Sequence, residues 1–64
     1  MPDYYRDVTR LLASAGFIRI AGGKGSHEKW RSDALERLLI VPRKLKSRHT
    51  ANAILKSAQI GKKL

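Results

Sequence analysis

The sequence predicts a small α+β domain. Three observations carry that expectation: an amphipathic stretch at the start of the chain, a glycine-rich turn between two β-prone runs, and a second amphipathic stretch near the end. With 64 residues the chain makes one domain, residues 1–64. It buries only about 60% of its unfolded surface, which allows one thin core and no deep pocket.

Residues 3–15 form the first expected helix. Asp3 is placed to cap it, and Tyr4, Val8, Leu11, Leu12 and Ala15 share one face at helical spacing. Asp3, Arg6, Asp7 and Arg10 take the polar side, and Gly16 stands where a helix stop belongs. Phe17-Ile18-Arg19-Ile20 reads as a strand that runs into Ala21-Gly22-Gly23-Lys24-Gly25, a glycine-rich hairpin loop. Ser26 to Arg31 then returns as a second strand, with His27, Lys29 and Arg31 on one face and Glu28 and Trp30 on the other. Trp30 is expected beneath the helices rather than as a platform for stacking bases. Glu28, facing away from His27, is a poor partner for the imidazole.

Residues 33–42 support two readings. Asp33-Ala34-Leu35-Glu36 resembles a capping box followed by helix formers, whereas Ile40-Val41-Pro42 suits a strand cut off by proline. Local propensity leaves both open. The last segment is plainer: Ser47 caps a helix whose Ala51, Ile54, Leu55 and Ala58 form an apolar stripe, closed by Ile60 or Gly61.

Charge narrows the function. Fourteen Lys and Arg oppose five Asp and Glu, for a net +9. Every acid lies at or before Glu36, and from Arg37 onward there are only bases. One-sided charge of this kind is most simply explained by a polyanionic partner. Cysteine is absent, which removes disulfides, a thiolate nucleophile and the usual zinc clusters. Two histidines 22 positions apart make no convincing metal site. The first residues do not read as a signal peptide, and Leu38-Leu39-Ile40-Val41 is far too short to span a membrane. A soluble cytoplasmic protein is expected.

Gly25-Ser26-His27 is the one place where chemistry concentrates. Histidine is the side chain suited to exchanging a proton near neutral pH, and Lys24, Lys29 and Arg31 lie within four residues of His27. RNA carries its own nucleophile, the 2′-hydroxyl, so a proton-transfer group beside a phosphate-holding cluster is the minimum equipment for cutting it. His27 is therefore the candidate catalytic residue. Lys24, Lys29, Arg31, Arg43 and Lys44 are candidates to hold phosphate, and Ser26 could orient an oxygen. Lys46 and Arg48 add charge at the approach to the last helix, where free N–H groups also attract phosphate. His49 has no such setting.

In order along the chain, Ala15-Gly16-Phe17, Lys24-Gly25-Ser26-His27, Val41-Pro42-Arg43 and Ile54-Leu55-Lys56 resemble the HicA family of mRNA interferase toxins. That resemblance implies an α-β-β-β-α fold similar to double-stranded RNA-binding domains, with a three-stranded antiparallel sheet and two helices on one face. It makes residues 36–42 the third strand. It also implies a metal-independent endoribonuclease acting on mRNA without a cofactor, the motif histidine (His27 here) being catalytic, and a cognate HicB-type antitoxin as partner. Three positions depart from the family pattern: Lys44 where a second histidine is frequent, Lys29 where the residue is commonly apolar, and Gln59 where a glycine usually ends the last helix. In a third strand Leu38 and Ile40 share one face and Leu39 and Val41 the other. One pair packs beneath the helices, and Leu38 and Ile40 are the expected antitoxin contact. The competing reading is a non-catalytic double-stranded-RNA-binding module with the same fold and charge. A DNA-binding role is weaker still, for want of a recognition helix.

Overall fold

A computed structural model describes residues 3–64. Its elements run α1 (Tyr5–Ser14), β1 (Ile18–Ile20), β2 (His27–Ser32), β3 (Arg37–Pro42) and α2 (Arg48–Ser57). The strands form one antiparallel sheet in the order β1-β2-β3. This is the expected α+β layout, and residues 37–42 are the third strand.

Strand alternation divides the sheet into two faces. Glu28 pairs with Val41 and Trp30 with Leu39 on the side covered by the helices; Lys29 pairs with Ile40 and Arg31 with Leu38 on the other. Val41 is wholly buried, while Leu38 and Ile40 stay about half exposed, as does Ile18 of β1. The core joins Val8 and Leu12 of α1, Phe17, Val41, Leu45, and Ala51, Leu55 and Ala58 around α2. Burying side chains such as Leu12 and Leu55 stabilises by about 1.5–3 kcal/mol each. Trp30 packs half-buried against this core.

Several details correct the sequence reading. The first helix spans Tyr5–Ser14 rather than 3–15, and Tyr4, not Asp3, is its N-cap. Asp3 still does capping work, since its carboxylate accepts the Tyr5 N–H at 3.0 Å. Ala15, expected on the apolar face, is exposed, because the chain leaves the helix there. Phe17 precedes β1 and fills the core instead of pairing in the sheet. Asp33 to Glu36 forms a four-residue turn, not a helix. Ser32 Oγ accepts the Leu35 N–H at 3.2 Å, and Glu36 adopts φ 52°, so a helix-like start is reversed at once into β3.

Both helices end in the same way. In α1 the Gly16 N–H donates to Ala13 O and the Phe17 N–H to Leu12 O, with Gly16 at φ 93°. In α2 the Gln59 N–H donates to Lys56 O and the Ile60 N–H to Leu55 O, with Gln59 at φ 60°. These are Schellman closures, in which the residue after the C-cap turns left-handed. Ile60 takes part as expected; Gly61 does not. At the other end of α2, Ser47 caps as predicted, its hydroxyl accepting the Thr50 N–H at 3.2 Å.

Candidate active site

His27 is the first residue of β2, and the chain places it by backbone bonds alone. Its N–H donates to Lys24 O at 3.0 Å, closing a turn over Gly25 and Ser26. Across the sheet it pairs with Pro42, and the Arg43 N–H continues the ladder to Ser26 O at 2.6 Å. His27 and Arg43 are thus brought together from opposite strands. Both line an open cleft of about 410 Å³ at the hairpin-loop end of the sheet, with Arg19, Glu28 and the backbone of Gly22 and Gly23. His27 is exposed.

Glu28 lies beneath this cleft, 7% exposed. Its Oε1 accepts from the Tyr5 hydroxyl at 2.7 Å and from Trp30 Nε1 at 3.2 Å. Its Oε2 accepts from Arg43 Nε at 3.0 Å and from Arg19 Nη1 at 3.2 Å. Burial alone would raise the Glu28 pKa, but the bonds from Tyr5, Arg43, Trp30 and Arg19 outweigh it and leave it below the ordinary carboxylate value. Tyr5 shifts upward, through burial and then through its bond to, and the charge of, Glu28. None of the bonds of Glu28 goes to His27, as expected for residues on opposite faces.

The other candidates are spread around this cleft. Lys24 and Ser26 are exposed in the turn that precedes His27. Lys29 extends along the sheet toward Gly22, its ammonium 3.4 Å from where a Cβ on that glycine would stand, which sets its charge at the rim. Arg31 lies about 13 Å along β2 from His27 at 3.3 Å per residue and pairs with Asp33 at 3.0 Å. Lys44 and Lys46 are exposed on the link from β3 to α2, and Arg48 is exposed at the start of α2. That helix has no acidic residue in its first turn. None of these cations lines the cleft.

Two charged lining residues were not among the sequence candidates: Arg19, which was passed over, and Glu28, which was weighed only as a partner for His27. Alternation alone held the signal, since Arg19 pairs with Trp30 and so falls on the face of Glu28. The arrangement offers an accessible imidazole, two guanidiniums fixed by a buried carboxylate, and a wall of backbone. It suits a phosphodiester better than a small neutral ligand. No group of three or more His, Cys, Asp or Glu able to hold a metal occurs among the described residues, and no helix among them is long and apolar enough to cross a membrane.

Comparison with curated proteins and with solved structures finds no match. The sequence model of the HicA toxin of bacterial toxin–antitoxin systems, by contrast, matches residues 5–60, from the first residue of α1 to the residue that closes α2. Both the cleft and the sheet that frames it fall inside this span, and the chain belongs to the HicA toxin family.

Proposed function

We propose that this chain, the toxin of a toxin–antitoxin system, is an endoribonuclease that cuts mRNA in the bacterial cytoplasm with His27 as its proton-transfer group. The observation that carries this reading is an exposed histidine that lines one cleft with Arg43 and Arg19. Neutral His27 takes the proton of a ribose 2′-hydroxyl, whose oxygen attacks the adjacent phosphorus. The bond to the 5′-oxygen breaks, that oxygen is protonated, and a 2′,3′-cyclic phosphate and a 5′-hydroxyl result. Arg43 and Arg19 neutralise charge that builds on the phosphoryl oxygens, and guanidiniums held in place beforehand do so most effectively. Lys24, Lys29, Lys44, Lys46 and Arg48 hold the flanking backbone, with Ser26 beside the reacting phosphate. Arg31 contributes at the far end of the strand.

A HicB-type antitoxin silences the toxin by covering the open sheet face. There Leu38 and Ile40 are 52% and 48% exposed, beside the ladder of His27, Lys29 and Arg31. Apolar positions interleaved with cations fit a partner surface of apolar and acidic residues.

Cleavage of RNA in excess EDTA tests the activity directly. Wild-type protein is expected to give fragments ending in cyclic phosphate, and His27→Ala none. Equal cleavage by the two would remove His27 from the reaction, and salt-sensitive binding without any product would favour the non-catalytic module.

A further inference from the structure

We infer that Glu28 is a positioning residue: a buried carboxylate that brackets Arg43 and Arg19 so that their guanidiniums face the phosphate beside His27. The inference rests on the nuclease reading above and goes beyond it, since it assigns a role to an acidic residue in a site built for an anion.

An acid at a phosphate site is a liability in charge alone. It cancels one cation and competes with the substrate for the same donors. Its presence therefore calls for a geometric reason, and the bonding pattern provides one. The two oxygens of Glu28 serve different layers. Oε1 is tied to the protein body, through the Tyr5 hydroxyl of α1 and the indole N–H of Trp30 in β2. Oε2 reaches outward to Arg43 Nε and Arg19 Nη1. Those arginines arrive from β1 and from the residue after β3, and both are more than half exposed, at 57% and 60%. Without the carboxylate they would be solvated arms with many rotamers. With it, the Arg43 Nε–H is consumed inward and both of its terminal nitrogens are left for a ligand. The Oε1 anchors pass the rigidity of the core to the cleft, as a supporting residue must do to hold a reactive geometry.

Glu28→Gln separates geometry from folding. The amide retains an acceptor for Tyr5 and Trp30 but turns an NH2 group toward the guanidiniums, where Oε2 stood. We expect kcat to fall about tenfold to hundredfold, the cost of loosening groups around a reacting centre, with KM for RNA changing little. In an Arg19→Ala/Arg43→Ala background the same substitution should cost almost nothing further, because a residue that acts through another has no effect once its client is gone. Wild-type kcat in Glu28→Gln, or an undiminished loss in the double-arginine background, would overturn the proposal.

A second measurement does not depend on cleavage. Nuclear magnetic resonance of the Arg43 Nε–H should show slowed exchange with solvent in wild type and in His27→Ala, and exchange at the free-arginine rate in Glu28→Gln. Unprotected exchange in wild type would refute the bracket even if Glu28→Gln fails to fold. If neither wild type nor His27→Ala cleaves RNA while the Nε–H stays protected, the nuclease assignment falls and the bracket stands.

Discussion

Gly23 lies against the backbone of His27 so closely that a Cβ on Gly23 would collide with the His27 carbonyl oxygen. The same Cβ would stand 3.1 Å from Glu28 Cα. The three nearest atoms are all backbone, so no side chain there can swing aside. The close fit presses the hairpin loop onto the start of β2 and fixes where the imidazole emerges. Gly23→Ala is expected to cost about 1–3 kcal/mol, the usual range for overpacking. That lowers the melting temperature by roughly 4–8 °C per kcal/mol in a domain of this size. Cleavage should drop further than stability, since His27 itself is displaced. Gly61→Ala, which meets open space, is the control; equal melting curves for the two variants would contradict this account.

The Tyr5–Glu28 bond sets limits on stability at both ends of the pH scale. Glu28 titrates below its ordinary 4.5 in the fold, so the stability it contributes is complete above pH 4.5 and is lost as pH falls through the depressed value. Tyr5 titrates above its ordinary 10.0, so its contribution is complete below pH 10.0 and is lost as pH rises through the raised value. Urea midpoints across the acid and alkaline ranges should therefore fall at both ends. Tyr5→Phe should remove the alkaline fall, and Glu28→Gln should flatten the acid one. A pH profile identical in all three proteins would dissociate this pair from stability.

How far the sequence led differs between fold and site. Helical periodicity found α1 and α2, glycines found the hairpin, and the charge split pointed to a polyanion. Local propensity left the third strand open, and the family resemblance alone named it, because Asp33 to Glu36 carries a real helix-start pattern, and Ser32 does accept the Leu35 N–H. Only the tertiary pairing of β3 with β2 decides against a helix there. Leu45 was missed as a core residue because it stands alone in a basic loop, yet its carbonyl accepts the Tyr4 N–H at 2.7 Å. His27 and Arg43 were named, but not as neighbours. Glu28 was judged by its relation to His27, whereas its function is toward the arginines, a relation that needs three strands and a helix in register.

Gln59 offers a test of helix closure that does not touch the site. It holds φ 60°, a left-handed position that costs a residue bearing a Cβ about 1 kcal/mol, and its counterpart in α1 is Gly16. Gln59→Gly is expected to stabilise the protein by about 0.5–1 kcal/mol, measured by chemical denaturation, with cleavage unchanged. A loss of stability would mean that the Gln59 side chain makes up for its backbone.

Ile40→Asp probes the antitoxin face. Ile40 is 48% exposed on the side of the sheet away from the core, so the substitution should shift folding stability by no more than about 0.5 kcal/mol. It places a charge opposite Lys29, its cross-strand partner, and breaks the apolar strip shared with Leu38. Co-purification with the cognate antitoxin should be lost while RNA cleavage persists. An undiminished complex would show that the antitoxin approaches from elsewhere.

The cations that do not line the cleft can be counted by salt. Each phosphate contact to single-stranded RNA contributes about 0.7 to the slope of log affinity against log salt, because each releases condensed counterions. Lys44, Lys46 and Arg48 are exposed and none has an acidic partner among the described residues. Replacing all three with alanine should therefore reduce the slope by about 2. Arg31, already paired with Asp33, should contribute less than any one of them. The measurement belongs in a His27→Ala background, where the RNA stays intact through the titration. If the triple variant kept the full slope, phosphate binding would be confined to the cleft, and the link from β3 to α2 would serve only to connect them.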